Sequence, residues 1–428
     1  MTPVAVKQEV NVCIGKAGTV VGTLAYVQQG RREHTAFAYD ARWLANPDRF
    51  AISPDLQLMP GHQVRKAAST QDSPFPFAIA DTAPDAWGRR VIARDHARRR
   101  KGNTALSALT EMDYLLAVDD FSRVGALRLR EGEDCFCRTI VEGQRGTPPL
   151  LELQRMYEAS RAVEKGQESA ADLRYLQGKG TSLGGLRPKC TVIDEDGRLA
   201  IGKFPSVGDN RSVTRGEVLA LRLAQRAGID AAAARIVTLD GTPVAVVRRF
   251  DRDEAHGRIP YLSAASLLQA GRDEDRAYTE IADAIRAHGH APTGDVRQLW
   301  RRMLFNLLIN NVDDHLQNLG FLHVGKGMWQ LAPAFDINPF PDKERESRTW
   351  LSEQDGPVRD VQTLLARSAY FSLTSDDARL VLAEVVAAVA SWRKIAIDSV
   401  VGFSTRELDD FAPAFEHPQL RVAKTLLK

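Results

Sequence analysis

Hydrophobic and polar positions alternate early in the chain. Val10, Val12 and Ile14 share one parity, glycines at 15 and 18 interrupt the run, and Val20, Val21 and Leu24 resume it. A period of two marks half-buried strands, and the glycines mark the turn between them. The spacing becomes helical over residues 84–100 and 105–118, and residues 124–129 read again as a strand. Residues 131–149 are polar and rich in Gly and Pro, which predicts a linker. An amphipathic helix follows over 150–163. Short strands at 191–193 and 199–203 flank Asp194-Glu-Asp-Gly197, a hairpin turn. A helix over 214–227 closes at Gly228, and 244–247 is an apolar strand. Beyond Asp251 the pattern is helical, over 279–288, 296–310 and 376–392.

A β-rich first part and a helical second part predict an α+β fold of two lobes, β-rich at the N-terminus and all-helical at the C-terminus, with a site between them. The boundaries fall into three stretches: a β-rich module over 1–140, a small lobe over 141–250 and a helical large lobe over 251–428. The length of 428 residues agrees with two or three domains at roughly 150 residues each.

Composition narrows the classes. With 44% apolar and 26% charged residues the chain is globular in kind. No apolar run approaches the ~18 residues of a membrane span. The start lacks a basic-then-apolar signal, so a cytoplasmic protein with no membrane partner is expected. Cys13, Cys135, Cys137 and Cys190 form neither a disulfide framework nor zinc spacing. A net charge of +2 does not make nucleic acid the default partner. The run 85–101 nevertheless holds seven Arg or Lys against two Asp, which suits either a solvated helix face or one turned toward DNA.

The chemistry concentrates in Asn311-Val-Asp313-Asp-His315-Leu-Gln-Asn318, placed between an apolar helix and the apolar Leu319-Gly-Phe-Leu. Asp313 precedes Asn318 by five residues. In the catalytic loop of protein kinases, an Asp at this spacing accepts the substrate hydroxyl proton and the Asn holds a metal. Asp314 competes for the role of base, and the spacing favours Asp313. After a hairpin turn at Gly325-Lys-Gly327, a strand ends at Phe335-Asp336-Ile-Asn338, where a kinase places its second metal ligand.

Upstream, Gly178-Lys-Gly-Thr-Ser182-Leu-Gly184-Gly185-Leu186-Arg187-Pro188-Lys189 is a glycine-rich stretch whose backbone can approach phosphate, without the Lys-Ser/Thr pair of a Walker loop. Lys203 shares parity with Leu199 and Ile201, so it faces the buried side and needs an anion: ATP phosphates or a carboxylate. Glu217 is the candidate carboxylate, unless it closes a capping box with Thr214. Arg248, Arg249 and Phe250 end an apolar strand where a nucleotide base would read a hinge.

Together these segments resemble the HipA family, the kinase toxins of bacterial toxin–antitoxin systems. The carrying residues are Thr181–Lys189, Lys203-Phe-Pro-Ser, Arg249-Phe-Asp-Arg252, Asn311–Asn318 and Phe335–Pro339, with Ala80–Arg89 and Arg123–Leu127 in the first half. The resemblance implies a HipA-like, protein-kinase-like fold and a serine/threonine protein kinase that uses ATP and Mg2+. It makes Asp313 the base, and Asn318 and Asp336 the metal ligands. Lys203 becomes a contact of the α and β phosphates, and Gly184, Gly185, Leu186, Arg187, Pro188 and Lys189 a phosphate loop. Arg248, Arg249 and Phe250 become the hinge, His315 a neighbour of the nucleotide, and Ser182 a regulatory autophosphorylation site.

The implied substrate is a translation protein such as an aminoacyl-tRNA synthetase, phosphorylated to arrest growth. The implied partner is a HipB-like helix-turn-helix antitoxin, with operator DNA reached through it. Two other classes remain open: a non-catalytic HipA-like corepressor that acts with the antitoxin, and a small-molecule kinase. No A-P-E element follows Asp336, so the segment beyond it cannot be read by analogy with ordinary protein kinases.

Overall fold

The computed structural model describes residues 6–30, 32–67, 72–132, 135–137, 149–177, 187–271 and 274–428. The chain divides into two units. One comprises Met1–Val207, Asp251–Arg272 and Gly325–Gly327; the other comprises Gly208–Phe250, Asp273–Val324 and Met328–Lys428.

The first unit is built on a six-stranded sheet. Its strands, in spatial order, are His62–Lys66, Arg32–Tyr39, Thr19–Gln29, Val6–Ile14, Leu127–Glu131 and Cys135–Phe136. Val10, Val12, Val21, Leu24 and Phe37 turn into the core, but the alternation slips at Cys13, which is buried while Ile14 is half-buried, because the register shifts between Val12 and Cys13. Helix Ala86–Gly102 lays Trp87 and Val91 against Ala159, Val163, Leu173 and Leu176 of helices Leu153–Lys165 and Ala170–Gln177. The helix expected over 105–118 is shorter, Glu111–Leu116. Thr110 and Asp113 cap each other's backbone there, and this reciprocal capping box fixes the start.

The arginines of the 85–101 run are partly committed inside the unit. Arg89 meets Glu111 at 2.6 Å and Arg94 meets Glu168 at 2.8 Å, while Arg98 donates to the Glu168 carbonyl. Residues 138–148 of the expected linker lie outside the described residues.

Two family-like segments meet in this unit. Gly125, from Arg123–Leu127, donates its N–H to the Asp251 carboxylate at 2.7 Å. Arg252 in return donates to the carbonyls of Phe121, Arg123 and Gly125. Arg123 itself is fully buried and donates to the carbonyls of Thr82, Leu115 and Val118.

In the second unit, strands Ala234–Leu239 and Thr242–Arg248 pair through a two-residue turn, Asp240-Gly241, with both residues at positive φ. That is the backbone a tight hairpin demands. Helix Val213–Arg226 ends at Ala227, and Gly228 at φ 72° reverses the chain as expected. Helix Pro292–Leu308 is the spine of the unit. Val296, Leu299, Trp300, Met303, Leu304, Phe305, Leu307 and Leu308 are all buried, so from Leu299 onward the helix is enclosed on nearly every side.

The C-terminal region is not purely helical. Besides its helices it carries the hairpin strands Gly320–Gly325 and Met328–Leu331, and the short pair Trp350–Ser352 with Gly356–Pro357. The reason is local: Lys326-Gly327 adopts a positive-φ turn, and Gly356, also at positive φ, opens the second pair. No described helix is long and apolar enough to cross a membrane.

Candidate active site

The spine helix Pro292–Leu308 delivers the loop. It ends at Ile309, and Asn310 takes φ 53°, a left-handed conformation that Asn tolerates better than most residues. Asn311 folds back on the helix, its N–H donating to the Asn306 carbonyl at 2.9 Å and its amide to Asn306 Oδ1 at 3.1 Å. The chain then runs without regular structure to His315, whose extended backbone starts a short 3-10 turn, Leu316–Asn318.

The two adjacent acids have different surroundings. The Asp313 side chain is 42% exposed, with its Oδ1 4.0 Å from His315 Nε2. Asp314 is 8% exposed. Its Oδ2 accepts the Tyr278 hydroxyl at 2.6 Å and its Oδ1 accepts the Arg348 N–H at 2.6 Å. Burial pushes the Asp314 carboxyl up to about 6, against the pull of these donors. The same burial, with the carboxylate alongside, holds the Tyr278 phenol well above its ordinary range. Asp314 is therefore engaged in packing, and Asp313 is the acid that faces solvent.

Asn318 donates its amide to the Asp313 carbonyl at 2.9 Å, which leaves its oxygen as the acceptor. Asp336 lies at the end of a segment held at several points. Ala332 N–H donates to Gly320, Ala334 N–H donates to Asp230, and Arg302 donates to the Ala332 carbonyl at 2.7 Å. Arg302 is buried, and desolvation brings its guanidinium down to about 10. Asp336 itself stands at φ 52°, a strained backbone for a non-glycine residue, of a kind that clusters at functional sites. His315, Asn318, Phe335 and Asp336 line one pocket, together with Asp314 and Tyr278. Phe250, at the end of the strand expected to form the hinge, packs its ring 5.4 Å from that of Phe335. Arg249 beside it is buried, and Arg248 is half-buried at the strand end.

An amide oxygen and a carboxylate in one pocket are hard oxygen donors. They fit Mg2+, which takes one or two such ligands and completes its shell with phosphate and water. Among the described residues no group of three or more His, Cys, Asp or Glu is placed to hold a metal by itself.

In the other unit, Lys203 ends strand Leu199–Lys203 and is 9% exposed; Ala200 and Gly202 are buried as well and Ile201 only half-buried, so both faces of the strand are covered and parity does not set its burial. Lys189 does not belong to a loop. It opens strand Lys189–Ile193 directly opposite Lys203, and its ammonium lies 3.3 Å from the Asp85 carboxylate. The expected placement of Lys189 in a loop is thus corrected. A buried ammonium needs an anion, and the fold supplies Asp85. Pro188 is buried and accepts the Phe204 N–H at 2.9 Å, while Arg187 is half-buried. Gly184, Gly185, Leu186 and Ser182 lie outside the described residues.

The capping box drawn for Thr214 and Glu217 does not form. The helix starts at Val213, and the Thr214 hydroxyl donates to the Pro243 carbonyl at 2.9 Å. Glu217 is buried at 3% exposure. Tyr278, Arg302 and Asn310 escaped the sequence reading. The Asn310-Asn311 pair at a helix end was a usable signal, because Asn favours such turns; Tyr278 and Arg302 carried none.

Comparison with known proteins follows the same lines. Residues 11–129 match the HipA N-terminal domain, and residues 181–393 match the HipA-like C-terminal domain. A protein of Sinorhizobium fredii named "Putative kinase Y4mE" is 26% identical over 351 residues, 75% of each chain. One of Haemophilus influenzae named "Putative kinase" is 24% identical over 188 residues, 38% of this chain and 55% of that one. The HipA toxin of Shewanella oneidensis, solved with HipB and its operator DNA, superposes with a TM-score of 0.67 at 16% identity, covering 97% of this chain and 96% of that one. The α+β fold is accordingly the kinase-like fold of HipA, and the chain belongs to the HipA family.

Proposed function

We propose that the chain is an ATP- and Mg2+-dependent serine/threonine protein kinase, the toxin of a toxin–antitoxin pair. The observation that carries this reading is the separation of the two acids. Asp313 faces solvent while Asp314 is buried, and Asn318 and Asp336 share a pocket with His315.

In this reading Asp313 accepts the proton of a substrate hydroxyl. The hydroxyl oxygen bonds to the γ-phosphorus as the bond to the β-phosphate oxygen breaks and ADP leaves. Asn318 and Asp336 would hold Mg2+, which neutralises charge on the phosphate oxygens when bound. Lys203 is assigned the α and β phosphates, Arg248 to Phe250 the base, and His315 the nucleotide's vicinity. Gly184, Gly185, Leu186, Arg187, Pro188 and Lys189 are assigned the nucleotide's phosphates, and Ser182 the regulatory autophosphorylation. The functional stretches are those of the sequence: 1–140, 141–250 and 251–428.

Family membership supports a HipB-like antitoxin and, through it, operator DNA, because the Shewanella relative was solved with both. It also supports a translation protein of the aminoacyl-tRNA synthetase class as substrate. Incubation of the purified chain with γ-labelled ATP and Mg2+, followed by mapping of the phosphate by mass spectrometry, tests the reading. Label on Ser182 and on an acceptor protein is expected. No transfer to any protein, from a chain that binds ATP, would leave the corepressor reading in its place.

A further inference from the structure

We propose that Asp314 is a positioning residue that clamps the segment 340–358 onto the loop carrying Asp313, so that this segment is formed without being phosphorylated. The inference rests on the kinase reading above and concerns the regulation of the same site.

Ordinary protein kinases commonly order the segment after the second metal-side Asp by phosphorylation, through new pairs between Arg and phosphate; this chain lacks their A-P-E element, and its segment is read from its own contacts. Here the anchoring is built in. The Asp314 carboxylate accepts the Arg348 N–H, and the Thr349 hydroxyl donates to the Asp314 carbonyl at 2.6 Å. Tyr278 occupies the second carboxylate oxygen and aims the first at Arg348. Asn310 repeats the arrangement at the start of the segment. Its carbonyl accepts the Phe340 N–H at 3.1 Å, and its amide donates to the carbonyls of Phe340 and Lys343.

Within the segment, Ser347 joins the two ends. Its hydroxyl donates to the Thr349 carbonyl and accepts the Val358 N–H, both at 2.6 Å. Trp350 N–H donates to the Arg276 carbonyl at 2.9 Å. A carboxylate with two charge-assisted donors is worth more than a neutral contact in a buried setting. The clamped segment walls an open cavity of about 490 Å³ that Val312, the neighbour of Asp313, also lines with Asp275, Arg348 and Trp350. Loosening the segment therefore reshapes the surface an acceptor protein meets beside the base.

Hydrogen exchange by mass spectrometry on the full-length, phosphatase-treated chain tests the clamp. Wild type is expected to protect 345–351. Asp314→Ala is expected to lose at least tenfold of that protection and to raise the KM for α-casein as acceptor at least tenfold, with the KM for ATP changed less than twofold. Asp314→Asn keeps an oxygen acceptor for Arg348 and is expected to restore both. Thr349→Val, a milder change, is expected to loosen the same peptides if Asp314→Ala does not fold. Unchanged protection in Asp314→Ala or Thr349→Val, or an Asp314→Asn variant as loose as the alanine, overturns the clamp. So does a phosphatase-treated wild type that has lost its protection. If no variant or wild type transfers phosphate, the exchange result still decides the clamp, and the kinase reading fails separately.

Discussion

The ammonium of Lys189 stands 3.3 Å from the carboxylate of Asp85, with 5% and 4% of the two side chains exposed. Asp85 also caps helix Ala86–Gly102 by accepting the Gly88 N–H at 2.6 Å. One carboxylate thus joins a helix start to a strand start 104 positions along the chain. Removing one partner leaves a buried charge, which costs about 3–5 kcal/mol. Lys189→Met is expected to lower the melting temperature clearly. Addition of Asp85→Asn is expected to recover part of the loss, because the stranded charge then disappears. Thermal melts of the single and double variants check this, and purely additive losses would contradict it.

Arg123 is buried among the carbonyls of Thr82, Leu115 and Val118. The planar fork of Arg reaches these carbonyls from two separate nitrogens, a geometry that the single ammonium nitrogen of Lys does not reproduce. Each buried carbonyl left without a donor costs about 1–3 kcal/mol. Arg123→Lys is expected to destabilise the first unit measurably, and Arg123→Ala more so. Chemical denaturation followed by tryptophan fluorescence is the check.

The split between Asp313 and Asp314 predicts different phenotypes. Asp313→Ala is expected to leave the melting temperature within a degree or two and to reduce phosphate transfer about 10²–10⁴-fold, the usual share of a general base. Asp314→Ala is expected to lower the melting temperature, because the Tyr278 hydroxyl and the Arg348 N–H lose their acceptor. Paired melts and labelling assays separate the two.

His417 gives a pH dependence. It is buried, its Nε2–H donates to the Leu308 carbonyl at 2.9 Å, and its Nδ1 accepts the Leu420 N–H. Burial brings the imidazole down to about 4. A depressed histidine binds its proton more readily when unfolded, so this group's contribution is complete above its ordinary value near 6.5. It is lost as pH falls from there through about 4. The limiting slope is about 1.4 kcal/mol per pH unit for one proton. His417→Gln is expected to lose less stability than wild type between neutral pH and pH 5, in melts across that range.

Much of this was legible in the sequence, because local rules governed it. The strand through Val10 and Val12, the hairpin turn at Gly325-Lys-Gly327 and the stop at Gly228 each depend on neighbours a few residues away. The Asp313–Asn318 spacing was legible for the same reason. What the sequence could not display were partners set by the tertiary fold. Tyr278 reaches Asp314 across 36 positions, and nothing in either segment announces the other. The Lys189–Asp85 pair was hidden for the same reason, because 104 positions separate the two residues and only the tertiary fold joins them. Helix Glu111–Leu116 began later than its apolar spacing implied because the Thr110–Asp113 box outweighed that spacing.

The most direct test of the central claim is transfer of label from γ-labelled ATP with Mg2+ by the wild-type chain and by Asp313→Ala, with ATP binding measured on both. The account predicts protein-bound phosphate on serine or threonine from wild type, its loss in Asp313→Ala, and ATP binding retained by both. Equal labelling by the two chains, or ATP binding by wild type with no transfer to any protein, would contradict it.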